Sequence, residues 1–420
     1  MKNDCPPSSR NLTQNVIRAK IPGIQHVLLL LFAFSLPVSV AVNNILAALI
    51  ILLWLIEGDF GRKFEEVKDN PIVIWALVFF FMHIIGLIWT HDLKWGLHII
   101  SKETKLLFLP ILMTAIDKKH VKTYLGAFVA AMSVSAVFSC LIWAGAIPYT
   151  ASSSAGSINP FMSHISYTPY LALTIYVLLH EVLFDKTLSR KHVIIALIIF
   201  VTLCFSLFIS GGRAGQIGFF ALFGLIVLQY FHKRLLKGIL LVGIGVPLLF
   251  TLLYNVAPRF QQRIDLAIQQ AQQYKQSSDS QLQDNSVGLR LTFLLNSVEV
   301  IKAHPLLGVG TGDFREEYAK INEKVSPGMP VPDHPHDMYA LVLAQLGLLG
   351  FFPFALLFFA QIKVSFAKIS PLYRIQLALP LLFLVIMLSD SYLMGHFVMG
   401  LFIFFSAILY KDSLWTPSRS

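Results

Sequence analysis

Residues 24–57 read IQHVLLLLFAFSLPVSVAVNNILAALIILLWLIE and contain no Asp, Glu, Lys or Arg before Glu57. An α-helix crosses the hydrocarbon core of a bilayer in about 20 apolar residues. The stretch therefore predicts two consecutive transmembrane helices, over residues 24–41 and 43–57. No small-residue cleavage site follows the first of them, so we expect a retained membrane anchor rather than a cleaved signal peptide.

The composition of the whole chain agrees with this prediction. Of the 420 residues, 56% are hydrophobic and 13% are charged, and the mean hydropathy is +0.68. An average soluble domain is about one-quarter charged. These values exclude a soluble globular enzyme, a disordered protein and a coiled coil. The three cysteines, Cys5, Cys140 and Cys204, form neither a disulfide framework nor a metal-binding Cys-x-x-Cys pair. The predicted fold class is an all-α polytopic membrane protein.

Apolar runs separated by short charged breaks predict about twelve transmembrane helices. They cover residues 24–41, 43–57, 71–90, 97–116, 123–147, 164–184, 193–211, 214–231, 238–254, 337–360, 375–390 and 394–410. The fourth run differs from the others because Lys102, Glu103 and Lys105 lie within it. Its first turns are therefore predicted to lie at the membrane interface or against other parts of the protein.

Lys and Arg residues alternate between the two sides of these runs. Twenty-one of them lie in the two terminal tails and five alternate loops, whereas the short segments on the opposite side hold four. Cytoplasmic segments carry the excess of basic residues, so both termini are predicted to be cytoplasmic. The chain then divides into residues 1–254 with nine transmembrane helices, an outer loop over 255–336, and residues 337–420 with three more helices and a cytoplasmic tail.

The net charge of +10 is thus a signal of topology rather than of nucleic-acid binding. The outer loop carries eight basic and nine acidic residues, and the chain has no basic patch interleaved with aromatic residues. Apolar residues at helical spacing predict two amphipathic helices in the loop, over 259–273 and 290–302, and a short polar helix near 314–324. The polar stretch 275–286 is predicted to be flexible.

Two arginines on the outer side are candidates for anion binding. Arg213 follows Ser210 and two glycines in the tight turn between the seventh and eighth runs, where the glycines are expected to leave room for a large anion. Arg290 lies at the predicted start of the second amphipathic helix, and a helix N-terminus binds anions through its free N–H groups. Each residue also has a simpler interpretation: Arg213 as an interface arginine that snorkels, and Arg290 as a solvated surface arginine.

The densest cluster of titratable side chains is DHPHDMY at residues 333–339, where the tenth run begins. Its Asp333, His334, His336 and Asp337 allow three interpretations. The His-x-His pair could bind a metal, although no third His lies near in the sequence. An aspartate could cap the following helix in a solvated turn. One imidazole, oriented by an aspartate, could act as a general base, and His336 is the preferred candidate because it lies at the membrane edge.

Together these residues are suited to a lipid-linked diphosphate. Two guanidiniums match the forked oxygens of a diphosphate, and a neutral imidazole can remove a proton from a sugar hydroxyl. Gly308, Gly310 and Gly312 follow no predicted strand, so we expect them to shape a turn rather than to bind a nucleotide.

The sequence around these candidates resembles the O-antigen ligase and polymerase superfamily. The resemblance rests on Arg290, HPLLGVG at 304–310, HDMY at 336–339, LGLLG at 346–350 and the turn at Ser210–Arg213. It implies a GT-C-like membrane glycosyltransferase with about twelve transmembrane helices and a large periplasmic helical loop. It also implies a multi-pass protein of the cell inner membrane whose active site faces the periplasm.

The same resemblance implies the chemistry. Family members transfer a glycan from undecaprenyl diphosphate to an acceptor, with no cofactor and no metal. By motif position, Arg213 and Arg290 resemble the diphosphate-binding arginines and His336 resembles the essential histidine. Asp337, His334 and Asp333 are candidate orienting or supporting residues. The family often has Asn after the histidine, whereas this chain has Asp337, and an added carboxylate could raise the pKa of an imidazole.

Chain length favours an O-antigen ligase, which uses a sugar hydroxyl of lipid A–core as the acceptor and inverts the anomeric centre. The expected partners are the undecaprenyl diphosphate-linked donor, the lipid A–core acceptor and membrane lipids, with no nucleic acid. An O-antigen polymerase or a protein O-oligosaccharyltransferase of the same superfamily remains open. A transporter or flippase of lipid-linked glycans is an alternative of another class. Transporters place charged residues near the membrane midplane, however, and the interiors of these runs are nearly free of charge.

The topology can be tested with reporter fusions at Gln276 and Ser420. We expect the Gln276 fusion to report a periplasmic location and the Ser420 fusion a cytoplasmic one, because the basic excess lies on the side of the termini. A cytoplasmic signal at Gln276 would contradict the whole assignment of sides.

Overall fold

The computed structural model describes residues 9–276, 285–367 and 372–412, with side chains from residue 20 to 273 and throughout the two later ranges. Residues 277–284 of the predicted flexible stretch lie outside these ranges, as do the ends of both predicted cytoplasmic tails. The helices are α1 (Ser9–Ser35), α2 (Val40–Glu57), α3 (Phe60–Val67), α4 (Pro71–Ile85), α5 (Leu93–Glu103), α6 (Phe108–Ala115), α7 (Val121–Trp143), α8 (His164–Phe184), α9 (Arg190–Ile209), α10 (Arg213–Tyr230), α11 (Leu235–Val256), α12 (Pro258–Gln276), α13 (Ser286–Ala303), α14 (Phe314–Val325), α15 (Met338–Ala367), α16 (Tyr373–Gln376), α17 (Ala378–Ile386) and α18 (His396–Tyr410).

Eight helical segments of the described chain are long and apolar enough to cross a membrane: α2, α4, α7, α8, α9, α10, α11 and α15, with α4 and α7 extended by short 3₁₀ turns. Three shorter apolar segments follow the same pattern, at Lys20–Ser35, Tyr373–Ile386 and His396–Tyr410. The fourth predicted run is instead broken, with the 3₁₀ turn Thr104–Leu107 between α5 and α6. The structure therefore confirms a polytopic helical membrane protein, and the number twelve stays a prediction.

Helices α8 and α15 are the most buried of these long segments, whereas α2 and α11 lie at the edge of the bundle. Two-thirds of the apolar stretch of α8 is buried (67%), against 6% for α11. A helix that is apolar all round yet uncovered by protein needs an apolar solvent. The outer surface of α11, which exposes Leu236, Ile244 and Leu248, is thus suited to contact with lipid tails.

The three helices predicted between the ninth and tenth runs are all present, and one of them begins earlier than expected. Helix α13 begins at Ser286 because the Asn285 side chain accepts hydrogen bonds from the amides of Val287 and Gly288, at 3.2 and 2.9 Å. The expectation that Arg290 stands at the helix N-terminus is therefore wrong. Arg290 lies one turn inside α13, and any anion it binds is held by its guanidinium rather than by free helix N–H groups.

A backbone interlock fastens this outer segment to the transmembrane bundle. Helix α15 is interrupted at Gly347, where φ is +60°, and the interruption frees backbone groups on both sides. The carbonyls of Ala344 and Gln345 accept hydrogen bonds from Val309 and Gly310, at 2.8 and 2.9 Å. In the other direction, the amides of Leu348 and Leu349 donate hydrogen bonds to the carbonyls of Pro305 and Leu306, at 2.9 and 3.1 Å. Four hydrogen bonds thus replace those that the helix loses.

Two glycines make the interlock possible. Gly308 and Gly347 both have positive φ, at +67° and +60°, a conformation that L side chains rarely adopt. A Cβ at Gly347 would overlap the Leu306 carbonyl, and a Cβ at Gly308 would overlap the backbone of Gln345. The two backbone segments therefore approach each other at a distance that only glycine allows.

Replacement of Gly347 by Ala should destabilise the protein by at least about 2 kcal/mol, because it adds both backbone strain and overlap with Leu306. Gly243→Ala in α11 is the matched control, since a Cβ there meets nothing within 4 Å, and it should change the stability by less than about 1 kcal/mol. Thermal unfolding in detergent measures both variants. Equal melting temperatures for the two would contradict the interlock.

Candidate functional site

Three arginines converge on one small cavity at the end of the bundle where α8 and α10 begin. Arg213, Arg263 and Arg290 line it together with His164, Ser286, Ser389 and Tyr392. Within the described residues no Asp or Glu lines this cavity. Their positive charges act on one another, because Arg290 and Arg263 both lie close enough to Arg213 to repel it. Such a concentration of uncompensated positive charge is suited to an anion that carries several negative charges.

Arg213 owes its position to the close contact of α8 with α10. A Cβ at Gly212 would overlap Thr168 and the His164 carbonyl, and a Cβ at Gly215 would overlap the Thr168 backbone. Gly212 and Gly215 therefore admit α8. Gly211 and Gly212 also line the cavity, so the expectation that these glycines leave room for an anion stays a prediction. The guanidinium Nη2 donates to the Ser286 hydroxyl at 3.3 Å, which joins α10 to the first turn of α13.

Arg263 is the member of this group that sequence reasoning missed. It lies on α12, which the sequence predicts only as an amphipathic surface helix, and its Nη2 donates to the carbonyl of Gly156 at 3.0 Å. The same side chain packs on Gly211, where a Cβ would come within 2.8 Å of Nη2. Lone arginines in a polar helix carry no local signal of function, so only the packing of α12 on the α9–α10 turn identifies this one.

The candidate base His336 is held by a partner from another part of the chain. Its Nδ1 lies 3.2 Å from Oδ1 of Asp390, in the loop between α17 and α18. Burial raises the pKa of Asp390, but the hydrogen bond and charge of His336 outweigh this effect and hold that pKa below its ordinary value. An ionised Asp390 favours the tautomer of His336 that carries its proton on Nδ1, and in that tautomer the lone pair of Nε2 can accept another proton.

The backbone at His336 is unusual, since φ is +53° in a residue other than glycine. This left-handed conformation costs about 1 kcal/mol or more and persists where surrounding contacts impose it. Here the amide of His336 donates to Nδ1 of His334 at 3.3 Å, and the imidazole stacks on Phe293 with a centroid distance of 5.9 Å and an interplanar angle of 18°. The stack on Phe293 and the contact with Asp390 therefore fix the direction of the ring.

The other polar residues of the 333–339 cluster have separate roles. Asp337 accepts a hydrogen bond from the amide of Ala340 at 2.8 Å and caps α15, while burial raises its pKa. Asp333 forms an exposed ion pair with Arg315 at 3.4 Å. Burial, and then the charge of His336, lower the pKa of His334. Asp390, rather than Asp337, is thus the carboxylate that orients His336.

Helix α13 joins the arginine cavity to the histidine. Arg290 lines the cavity, and Phe293, three residues further along the same helix, stacks on His336. The loop after α17 makes a second connection, because Ser389 and Tyr392 line the cavity while Asp390 between them contacts His336. The predicted candidates Arg213, Arg290 and His336 therefore belong to one continuous site, which Arg263 and Asp390 complete.

His334, His336 and Asp390 also form a group that could hold a metal ion. One potential ligand atom from each of them lies within 4.8 Å of the others, and two imidazoles with one carboxylate are ligands that Zn²⁺ and Fe²⁺ accept. The sequence pair His334 and His336 thus gains its third ligand from a residue 54 positions away.

A comparison with known protein families agrees with this architecture. Residues 198–355 match the family model described as O-antigen ligase, and this stretch includes all three arginines and His336. No curated protein matches the chain. The bundle defines a polytopic helical membrane protein. The family match confirms the resemblance to the O-antigen ligase superfamily, whose members are glycosyl-transfer enzymes.

The arginine cavity should bind inorganic diphosphate through the planar fork of each guanidinium. Arg213→Lys, Arg263→Lys and Arg290→Lys keep the charge but lose bidentate contacts, so each should raise the Kd for diphosphate at least about tenfold. Arg315→Lys is the control, because its pair with Asp333 is exposed and lies outside the cavity. Ligand-induced shifts in the melting temperature give the Kd values, and unchanged values in the three cavity variants would contradict the assignment.

Proposed function

We propose that this protein transfers an O-antigen glycan from undecaprenyl diphosphate to a sugar hydroxyl of lipid A–core, on the periplasmic face of the cell inner membrane. The observation that carries the proposal is the junction of a three-arginine cavity with an aspartate-held histidine along α13. The arginine cavity suits a departing diphosphate, and the histidine suits a hydroxyl that must lose a proton. The family match supports a glycosyl-transfer reaction of this kind.

The donor diphosphate binds in the arginine cavity. A lipid-linked diphosphate carries two to three negative charges, and Arg213, Arg263 and Arg290 offer matching cations without a competing carboxylate. As the bond between the anomeric carbon and the phosphate oxygen breaks, negative charge grows on the leaving group. Guanidiniums that are already fixed in place stabilise this charge more strongly than water does.

The acceptor hydroxyl is activated by His336. Its proton passes to Nε2, its oxygen forms the new bond to the anomeric carbon, and the diphosphate leaves with the bonding electron pair. Asp390 stabilises the imidazolium that results, through its contact with Nδ1. Since one displacement takes place without a covalent intermediate, the anomeric configuration is inverted.

The acceptor decides between members of the superfamily. A polymerase adds the glycan to another lipid-linked glycan, and a protein-directed relative adds it to a protein hydroxyl. The lipopolysaccharide of a deletion strain distinguishes these cases. Loss of all polymer from core, with accumulation of lipid-linked polymer, supports the ligase. Core that bears a single repeat unit supports a polymerase.

The group of His334, His336 and Asp390 favours a second role for the same residues, as a metal centre. In that role both histidines would be ligands and neither could serve as a free base. We favour the base because Nδ1 of His334 already accepts the amide of His336. A chelator added to the purified enzyme separates the two roles, since only the metal-dependent reaction would stop.

His336→Ala should lower the transfer rate by about two to four orders of magnitude, the usual effect of a positioned acid–base group. Asp390→Asn should also lower it strongly, because the amide cannot stabilise the imidazolium. Transfer in vitro from a lipid-linked donor, at equal amounts of folded protein, measures these effects.

Two variants serve as matched controls for this experiment. Asp337→Asn should keep activity, because Asn caps a helix as well as Asp does, and His334→Ala should have a much smaller effect than His336→Ala. Equal loss of activity in both histidine variants, together with inhibition by chelator, would replace the base with a metal centre.

A further inference from the structure

A second basic group lies beyond the 3₁₀ turn Tyr392–Met394 that follows Asp390 in the chain. The Nζ of Lys105 donates hydrogen bonds to Nδ1 of His396 at 2.7 Å and to the carbonyl of His396 at 3.3 Å. Lys102, one turn earlier, lies close enough to His334 that its charge lowers the pKa of that imidazole. The group therefore extends from the candidate base to the N-terminus of α18.

The charges of this group are only partly compensated. Lys105 donates to neutral acceptors, and Lys102 makes no hydrogen bond or ion pair with any described residue. Glu103 lies between them in the sequence and is fully buried, and neither of its carboxylate oxygens has a hydrogen-bond partner in the described chain. A single buried acidic side chain cannot neutralise two ammonium groups, so a net positive charge remains beside the exposed imidazole of His396.

An apolar groove begins at the same place. Lys105 and His396 line one part of it, and its apolar lining includes Phe32, Phe108, Phe397 and Ile403. The groove lies between α1, α2, α6 and α18, and 11% of the apolar stretch of α2 is buried. Because α2 is largely uncovered by protein, the groove opens toward the surroundings of the bundle, which for a transmembrane helix are lipid.

An aligned basic group and apolar groove match an amphipathic anion. Apolar chains lie favourably along the aromatic side chains, and the anionic head lies against Lys102 and Lys105. Asn44, exposed one turn inside α2, also lines the groove, and its side chain makes no hydrogen bond with the described residues. Its amide offers a donor and an acceptor to a polar head group at the same level.

We propose that this groove and its lysines bind the acceptor lipid of the transfer reaction, with the phosphates of the acceptor on Lys102 and Lys105. The proposal rests on the proposed function and deepens it by assigning the two substrates to two sites. The donor diphosphate occupies the arginine cavity next to Ser389 and Tyr392, and the acceptor approaches from the Lys102 side, where His334 lies. His336 and Asp390 then stand between the substrates, where the base can take the proton of the acceptor hydroxyl while the hydroxyl oxygen attacks the anomeric carbon of the donor.

The test measures KM separately for donor and acceptor with the purified full-length protein. Lys102→Gln and Lys105→Gln should each raise the KM for lipid A–core about tenfold or more, because each removes a charge-assisted contact. The KM for the undecaprenyl diphosphate donor should stay within about twofold. Lys94→Gln is the matched control, since Lys94 is exposed on the same helix α5 but lies two turns before Lys102, further along the chain from Lys105.

A second arm uses lipid A–core from which the phosphates have been removed. The KM of the wild-type protein for this acceptor should be as high as the KM of the lysine variants for the intact acceptor. Removal of the phosphates should not raise the KM of the variants further. Melting temperatures control for folding, because Glu103 loses a neighbouring charge in each variant. The double variant Glu103→Gln/Lys105→Gln removes an acidic and a basic side chain together. It should keep the raised KM for the acceptor.

Three results would overturn this proposal without affecting the proposed function. An unchanged KM for the acceptor in both lysine variants would remove the lysines from acceptor binding. A raised KM for the donor would assign them to the donor. Lysine variants that lose bound phosphatidylglycerol in native mass spectrometry but keep the KM for the acceptor would make the groove a site for bystander phospholipid. If Arg290→Lys and His336→Ala also transfer normally, the proposed function itself fails.

Discussion

The rest of the structure depends on the backbone interlock between Gly308 and Gly347. A helix that crosses a membrane cannot leave its backbone groups unpaired, because no water reaches them. Here α15 is interrupted, and the freed groups pair with residues 305–310 through four hydrogen bonds. The interlock thus converts a break in a helix into the attachment point of the outer segment. On one side it fixes the C-terminal end of α13. On the other side it fixes α15, which begins two residues after His336.

Electrostatic repulsion explains why such an attachment is necessary. Arg213, Arg263 and Arg290 come from three different helices and share a cavity without a carboxylate among its described lining residues. Like charges this close oppose the folded state, so the packing of α8 on α10 and of α12 and α13 on the bundle must hold them together. An anion that enters the cavity relieves the repulsion. The arrangement therefore couples stability of the site to the presence of its ligand.

The site is asymmetric, and in the proposed reaction this asymmetry gives the two substrates separate places. The planar guanidinium groups of the three arginines lie on the side of Ser389 and Tyr392. The lysine ammonium groups and the apolar groove lie on the side of His334 and His396. Arginine suits a diphosphate because its donors match paired oxygens, and lysine suits a lipid phosphate as a point charge. The loop that carries Asp390 separates these environments and supplies the carboxylate that holds His336.

The sequence by itself determined the class of the protein, because the cost of unpaired backbone groups in lipid allows few structures and apolar runs of this length predict helices. Periodicity also predicted α12, α13 and α14, and the density of titratable groups around His336 together with the Arg213 and Arg290 motifs predicted the candidate site. Only the tertiary structure decided which residues complete it. Arg263 and Asp390 lie in segments with no local signal of function, and their roles arise from contacts across 107 and 54 positions of the chain. The same holds for the glycines beside Arg213. Their sequence indicates only that space is needed, and the packing of α8 decides what occupies that space.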